Sequence, residues 1–331
     1  HMGHALNKIL KDVIIKYQQI SNKNSIYVPG WDCHGLPIEW KIEEQYRKKK
    51  LNKDDVPVLE FRKQCRDFAQ EWIEVQRKEF KRLGVIGDWD NPYTTMHYNS
   101  EAQIVRELGK FLENGGLYKG NRPVLWSVVE KTALADAEVE YQEHKSTTIY
   151  AKFPIAKTNL DKLNNHAIVI WTTTPWTIPG NRALAVHNEI KYVSLNIRRE
   201  NSNEDIIIAE GLVDNFLKEN KILESNVNFS LTGNELLNTS CYHTLFKSGY
   251  DFIVPILHGD FVTTEQGTGI VHICPVHGMD DFILGKQHNL ELPMTIDEGG
   301  IYYEHIPVFA GKHIFKVDPE VCDEIEKCNN L

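Results

Sequence analysis

The stretch that decides the fold is Pro29-Gly30-Trp31-Asp32-Cys33-His34-Gly35-Leu36-Pro37-Ile38-Glu39. It begins with a predicted turn at Pro29-Gly30, which follows a short strand predicted for Ser25–Val28. A helix is predicted to begin at Leu36 and to run to Lys50. The stretch therefore joins a strand to a helix and places an aspartate, a cysteine and a histidine between them.

Helical patterns lie on both sides of this stretch. Apolar residues three or four positions apart predict a helix that begins near His4, a long helix that ends before Gly84, and another that stops at Gly115-Gly116. Their predicted ranges are 4–20, 57–83 and 99–115. Because strands and helices alternate, the first part of the chain is predicted to be an α/β unit.

The pattern changes near Lys145 to short stretches rich in β-forming residues. Alternating apolar residues begin at Thr147, and turn residues separate the candidate strands. These strands are predicted at 147–153, 167–171, 192–197, 205–209, 252–257 and 269–273. We therefore predict two domains, residues 1–145 and residues 146–331. The second is a compact, mostly β domain with a few short helices.

Composition limits the class of protein. The 331 residues are 41% apolar, which suffices for a core in each of about two domains and excludes a collagen, a disordered chain and a disulfide-stabilised miniprotein. No apolar run reaches the roughly 18 residues of a membrane span, and no signal-peptide pattern is present. The six cysteines form no C-x-x-C pair, so they are predicted to be reduced thiols of a cytosolic protein.

The formal net charge of −9 arises almost wholly in residues 146–331. Basic residues concentrate in the first part, as in Arg47-Lys48-Lys49-Lys50 and between Arg62 and Arg82. Such runs fit either a nucleic-acid partner or solvated helix faces, and charge alone favours the second interpretation.

The chain opens with His1-Met2-Gly3-His4, directly before the first predicted helix. Two imidazoles and a glycine would let a phosphate chain lie against the helix N-terminus, whose free N–H groups favour anions. The same residues also fit an incidental histidine pair or a cloning remnant. The opening alone therefore does not establish a phosphate site.

Two motifs in the second part carry further functional groups. The first, residues 171–181, reads WTTTPWTIPGN, and the second comprises GTGIVH at residues 267–272 followed by PVHGMDDF at residues 275–282. The threonines fit a strand end at which hydroxyls cap backbone groups, and the aspartate pair fits a helix N-cap. His272, His277 and Asp281 are also of the types that bind metals.

Together these motifs resemble the class I aminoacyl-tRNA synthetases, most closely their isoleucine-specific branch. The match rests on the His-x-Gly-His opening, the stretch 29–39, residues 83–96 and 133–141, and the motifs of the second part. It covers essentially the whole chain. The resemblance implies an α/β fold: part of a Rossmann-type nucleotide-binding domain, with an inserted, mostly β-barrel-like editing domain.

The resemblance implies ATP-dependent ligation of isoleucine to its tRNA, with ATP and Mg²⁺ as cofactors. His1, Gly3 and His4 would bind ATP, and the two histidines would stabilise the charge that develops when the amino-acid carboxylate attacks the α-phosphate. Asp32 would hold the α-ammonium of isoleucine. Without the resemblance, a turn aspartate that bonds its own backbone is the simpler interpretation.

The resemblance also implies an editing pocket that hydrolyses mischarged valyl-tRNA. The threonines would contact the terminal ribose and ester, His272 would line the side-chain pocket, and Asp281 would pair with the α-ammonium. A positioned water would cleave the ester without a metal or another cofactor. The residues implied in this pocket are Thr172, Thr173, Thr174, Asn181, His272 and Asp281.

Parts of the family pattern are absent from the sequence, which contains no lysine-rich KMSKS loop and no anticodon-binding helical domain. Trp126–Lys131 stands where relatives often carry a cysteine pair, so no zinc is predicted there. We therefore expect a chain that edits but does not activate isoleucine. A free-standing tRNA deacylase and a metal-dependent hydrolase remain alternatives. The expected partners are tRNA(Ile), isoleucine and valine, and the expected form is a cytoplasmic monomer without membrane contact.

Overall fold

The computed structural model describes residues 1–199 and 202–331. They form two compact units, His1–Gly120 and Asn121–Leu331. The division into residues 1–145 and 146–331, which rests on composition and pattern, stays a prediction, as do the functions assigned to the two parts.

The first unit is mainly helical. Its helices are α1 (Met2–Ile20), α2 (Leu36–Lys48), α3 (Val58–Arg82) and α4 (Tyr98–Glu113). The short strands β1 (Gly30–Trp31) and β2 (Tyr93–Thr94) pair in parallel, and α2 and α3 supply the crossover that a parallel pair requires. All four predicted helices are confirmed. The strand predicted at Ser25–Val28 is wrong, because pairing begins only at Gly30, where Tyr93 lies opposite.

Helix α1 buries polar groups and exposes apolar ones. Lys8 donates a hydrogen bond to the Tyr27 hydroxyl (2.9 Å), and Asp12 accepts one from the backbone N–H of Ile86 (2.9 Å). Both charged side chains are buried. Most of the apolar residues of the helix are exposed, whereas Ile15 is half-buried. The exposed ones include Leu6, Ile9, Leu10, Val13, Ile14, Tyr17 and Ile20. The periodicity that predicts this helix therefore does not mark the face that the first unit buries.

In the described residues, the second unit is built on nine strands that form one sheet. They are β5 (Ile149–Lys157), β6 (His166–Thr172), β7 (Ala183–Val186), β8 (Lys191–Arg199), β9 (Ser202–Ala209), β10 (Glu224–Thr232), β11 (Ser240–Tyr242), β12 (Ile253–His258) and β13 (Val271–Ile273). The order across the sheet is β10-β8-β9-β6-β5-β11-β12-β7-β13. A separate hairpin pairs β3 (Trp126–Ser127) with β4 (Thr132–Ala133).

The sheet is mixed and open. The pairs β6–β9 and β7–β12 are parallel, whereas the remaining neighbours are antiparallel. Strands β10 and β13 stand at its two ends. The predicted α/β class is confirmed, but the barrel-like closure is wrong, because the described strands leave these two edges unjoined.

Three of these strands were not predicted from the pattern: β7, β10 and β11. Strand β10 is an edge strand in which polar residues predominate and most positions are exposed, so it lacks the alternation of a half-buried strand. Strand β11 is only three residues long. Both become strands because a neighbour supplies the hydrogen-bonding partner, which is information that a local pattern does not contain.

Helices pack against the sheet and complete the core. They are α5 (Val213–Glu219), α6 (Gly233–Leu236), α7 (Met279–Gln287) and α8 (Ile314–Lys327). Helix α8 buries Val317, Val321 and Ile325, one turn apart, in the same core as Ile168 and Leu184. Among the residues that the structure describes, no helix is both long and apolar enough to cross a membrane.

Candidate functional site

The motifs of the second unit meet at one buried histidine. Strand β6 ends at Thr172 and leads into a 3₁₀ helix, Pro175–Gly180, while His272 lies on β13. The imidazole Nε2 of His272 lies 2.9 Å from Oγ1 of Thr177, and its Nδ1 lies 2.8 Å from Nδ2 of Asn181. The fold thus joins residues that are more than 90 positions apart in the chain.

Hydrogen bonds fix the tautomer of His272. Nδ2 of Asn181 also donates to the carbonyl of Ala183 (2.9 Å), which sets the amide orientation because a carbonyl only accepts. The same Nδ2 therefore donates to Nδ1 of His272, and the Nε2–H of the ring donates to Thr177. The Thr177 hydroxyl in turn donates to the carbonyl of Thr174 (2.8 Å). Both ring nitrogens are thus occupied.

His272 is a neutral group. Its burial is the main reason that its pKa falls to about 3, and nearby His277 lowers the pKa further. A neutral ring with both nitrogens bonded is a poor acceptor for a proton from water and a poor donor to a leaving group. The arrangement suits a rigid wall and not a general base.

The threonines form a hydrogen-bonded row that reaches the surface. Oγ1 of buried Thr172 accepts from the backbone N–H of Thr174 (3.1 Å). The Thr174 hydroxyl lies 3.3 Å from the hydroxyls of Thr172 and Thr177, and Thr174 is exposed. Thr173 is partly exposed. The alternative of hydroxyls that bond backbone groups thus holds for Thr172 and Thr177, while Thr174 also presents its hydroxyl to solvent.

Asp281 is held by the loop that precedes α7. Its Oδ1 accepts from the backbone N–H of Cys274 (2.7 Å), and burial raises the pKa of the carboxyl above its usual range. The N-cap of α7 is Gly278, so the N-cap interpretation of Asp280 and Asp281 is wrong. A Cβ on Gly278 would lie 2.2 Å from Oδ2 of Asp281, so only glycine fits there without a shift. Among the described residues, no hydrogen bond joins Asp281 to the threonine row.

The metal-dependent alternative requires a set of ligands. In the described part of the chain, no group of three or more histidine, cysteine, aspartate or glutamate side chains is placed to bind an ion. Both nitrogens of His272 are bonded to side chains. Nε2 of His277 lies 3.0 Å from the Thr295 hydroxyl, and burial lowers the pKa of His277 to about 4.

In the first unit, His1 and His4 lie together at the N-terminus of α1. Their ring centroids are 4.0 Å apart, and Nδ1 of His1 accepts from the backbone N–H of Gly3 (3.0 Å). A Cβ on Gly3 would lie 2.8 Å from the His1 ring. A larger residue at position 3 would therefore require the His1 ring to shift. The exposed helix end offers the imidazoles and free N–H groups that favour an anion.

Asp32 lies where the two short strands of the first unit end. Its Oδ1 accepts from the Thr95 hydroxyl (3.2 Å) and from the backbone N–H of His34 (3.3 Å). The Thr95 hydroxyl accepts from the backbone N–H of Cys33 (2.7 Å). The turn interpretation of Asp32 is therefore present in the structure, and its exposed carboxylate also faces solvent.

Two residues of these sites were not predicted, Thr177 and Thr95. Thr177 lies in the motif 171–181, three positions after Thr174, and that one-turn spacing was the available signal. Thr95 lies in the motif 83–96, but it approaches Asp32 only because β1 and β2 are neighbours. Its role has no signal in the local sequence.

The curated proteins that are similar to this chain include several isoleucine-tRNA ligases. Isoleucine-tRNA ligases of Pelagibacter ubique, Gluconobacter oxydans and Zymomonas mobilis are 54%, 51% and 50% identical over 333, 331 and 341 residues. The alignments cover 100%, 98% and 100% of this chain but only 37%, 34% and 36% of the relatives. The chain thus spans about a third of the length of these curated relatives.

Two solved structures also match. GlLeuRS-CP1 is 16% identical with a TM-score of 0.43, and the match covers 55% of this chain and 96% of that one. The P. knowlesi cytosolic leucyl-tRNA synthetase editing domain is 11% identical with a TM-score of 0.40, and the match covers 58% and 99%. The family model described as tRNA synthetases class I (I, L, M and V) matches residues 1–312. The chain therefore belongs to the class I tRNA synthetase family, and the curated relatives quoted above are isoleucine-tRNA ligases of that family.

Proposed function

We propose that this chain carries the proofreading activity of an isoleucine-tRNA ligase, which is hydrolysis of valine esterified to tRNA(Ile). The observation that supports this proposal is the row of hydrogen bonds from Thr172 through Thr177 and His272 to Asn181. It joins the two motifs of the second unit in one site with a buried end and an exposed end.

The residues of this site, both in the row and beside it, have separate roles in this proposal. The hydroxyls at the exposed end, those of Thr173 and Thr174, contact the terminal ribose and the ester. His272 closes the side-chain end, and ionised Asp281 pairs with the α-ammonium. Water adds across the ester: its oxygen bonds to the acyl carbon, the bond to the ribose oxygen breaks, and that oxygen receives the proton. Because His272 is neutral and fully bonded, the rate derives from positioning.

Selectivity follows from the shape of the buried end. An apolar synthetic pocket discriminates poorly between two side chains that differ by one methylene. A second pocket that admits valine and excludes isoleucine removes the error. The locked ring of His272 is suited to this exclusion, because a side chain held by bonds on both nitrogens resists displacement by a larger substrate.

The test compares deacylation of valyl-tRNA(Ile) and isoleucyl-tRNA(Ile) by the unaltered chain and by His272→Ala. We expect faster hydrolysis of the valyl ester by the unaltered chain, and entry of the isoleucyl ester in the variant. His305→Ala, an exposed histidine of the same unit, is the control. Equal rates on both esters in the unaltered chain would refute the proposed selectivity for the valyl ester.

A second candidate function concerns the first unit, and its support is the histidine pair at the N-terminus of α1, where a Cβ on Gly3 would lie 2.8 Å from the His1 ring. In the whole protein, His1, Gly3 and His4 would hold the phosphates of ATP with Mg²⁺ during ligation of isoleucine, and Asp32 would bind the amino acid. The 331 residues contain no KMSKS loop. We therefore expect no isoleucine-dependent exchange of pyrophosphate with ATP by this chain, and exchange above the blank would refute that expectation.

The proposal includes tRNA(Ile) as the partner and a monomer in the cytoplasm as the working form. The six cysteines are all free thiols in the structure, which suits a reducing compartment. Neither reaction proposed here requires a disulfide or a second copy of the chain.

A further inference from the structure

Helix α8 contacts the loop that carries the threonines through the backbone of Trp176. Thr174 is the N-cap of the 3₁₀ helix Pro175–Gly180, but its side chain bonds no N–H at that helix end. Since Pro175 has no N–H, Trp176 supplies the first donor of this helix. Oδ1 of Asp318, on α8, accepts from that N–H at 3.1 Å, although the two residues are 142 positions apart in the chain.

The backbone carbonyl and the indole ring of Trp176 also have partners. The hydroxyl of buried Tyr302 donates to the carbonyl of Trp176. The indole ring packs edge to face against His277, with ring centroids 4.8 Å apart. Both backbone polar groups of Trp176 therefore bind side chains from distant parts of the chain. The next residue is Thr177, which bonds His272.

Helix α8 is a firm support for this contact. It is buried in the core through Val317 and Val321, and Val321 lies one turn after Asp318 on the helix. A carboxylate on a packed helix is held more precisely than one on a loop. Acidic groups also interact favourably with the N-terminus of another helix, where the free N–H groups concentrate.

We propose that Asp318 is a positioning residue for the proofreading reaction. It caps the 3₁₀ helix from outside and so holds Thr174 and Thr177 in register with His272. The kinetic consequence rests on the proposed function, whereas the capping contact does not. Asp318 touches no reacting atom in this proposal, because it acts through the backbone of Trp176.

The test uses the 331-residue chain and its variants Asp318→Ala and Asp318→Asn, with Asp323→Ala as the matched control. Asp323 is an exposed aspartate on the same helix. Hydrogen exchange of the segment 172–181 reports the position of the loop, and kcat and KM for valyl-tRNA(Ile) report the reaction. For Asp318→Ala we expect faster exchange and a kcat lower by about tenfold or more, with little change in KM.

The remaining variants separate positioning from mere stability. Asp318→Asn retains an acceptor oxygen and should restore most of the kcat, while Asp323→Ala should match the unaltered chain. Should Asp318→Ala fail to fold, Asp318→Leu, which keeps apolar contacts but has no acceptor, takes its place. Equal losses in the alanine and asparagine variants, or faster exchange at an unchanged kcat, would overturn the proposal. An unaltered chain that hydrolyses nothing would refute the proposed function, and the exchange data would still decide whether Asp318 holds the loop.

Discussion

The two candidate sites differ in how completely the chain builds them. The ring of His272 is buried, and side chains from other elements bond both of its nitrogens. The rings of His1 and His4 are exposed and lie against each other. The first arrangement is held by side chains from other parts of the chain, whereas in the described structure the second is held only by contacts within its own helix end. Substitutions in the first site should therefore change rates most.

Packing shows the same difference between the units. Leu184 of the second unit is fully buried, whereas Leu10 of the first unit is 54% exposed. Buried apolar side chains cover both faces of the sheet, whereas most apolar residues of α1 are exposed. Apolar content alone therefore does not show which residues stabilise a unit.

The largest effect is expected for Asp281→Ala in deacylation of valyl-tRNA(Ile). Removal of one member of a desolvated ion pair costs about 2–5 kcal/mol, which corresponds to a rate about 30- to 4000-fold lower. The structure adds a second cost, because Asp281 also accepts from the backbone N–H of Cys274. Asp281→Asn retains that acceptor without the charge, so it should lose activity with a smaller fall in melting temperature.

The neighbouring aspartate provides the control for this prediction. Asp280 is exposed and lies one position earlier in the first turn of α7. Asp280→Ala should therefore retain deacylation. Loss of activity in Asp280→Ala at a normal melting temperature, with activity kept in Asp281→Ala, would place the ammonium-binding carboxylate one residue away.

Two matched leucine substitutions test the contrast in packing. Leu184→Ala should lower the free energy of unfolding of the second unit by about 2–5 kcal/mol, because it leaves a cavity among buried side chains. Leu10→Ala should change the free energy of unfolding of the first unit by only about 0.5 kcal/mol or less. Denaturant unfolding followed by circular dichroism measures both. Comparable losses would show that the exposed face of α1 is packed in solution.

Sequence patterns predicted helices well because each amphipathic helix carries its own periodic signal. They placed Thr172, Asn181 and His272 in one pocket through the resemblance, and the structure brings these residues together. Thr177 and Asp318 were missed for a physical reason. The contact of Thr177 depends on β13, which lies antiparallel to β7, and that of Asp318 depends on the packing of α8. Neither arrangement has a local signature.

Acid should weaken the second unit through its buried histidines. Burial is the main cause that lowers the pKa of His243 and of His272 to about 3. The unfolded chain takes up these protons below about pH 6.5 and the folded chain does not, so the free energy of unfolding falls as the pH drops from there toward the folded values. Each histidine contributes a slope of up to about 1.4 kcal/mol per pH unit.

Denaturant unfolding at pH 7, 6 and 5 measures this slope. Burial raises the pKa of Asp281 and of Asp318, which opposes the effect of the histidines because the folded chain binds those protons more readily than the unfolded chain. His243→Asn removes one buried imidazole and should reduce the slope without a change in its sign. A stability that is level between pH 7 and 5 would mean that these histidines are accessible to protons in the folded chain.

The smallest effect on deacylation is expected for substitutions in the histidine pair of the first unit. His4→Ala removes half of the histidine pair of the first unit. The proposed hydrolysis assigns no role to His4, so deacylation of valyl-tRNA(Ile) should change by less than about twofold. Gly3→Ala should likewise leave deacylation unchanged, although its Cβ would collide with the His1 ring and disturb the helix end. Both variants are measured beside His272→Ala, which should change selectivity. If His4→Ala slowed deacylation as much as Asp281→Ala does, the histidine pair would take part in the proposed hydrolysis, and the contrast between the site at His272 and the site at His1 and His4 would be wrong.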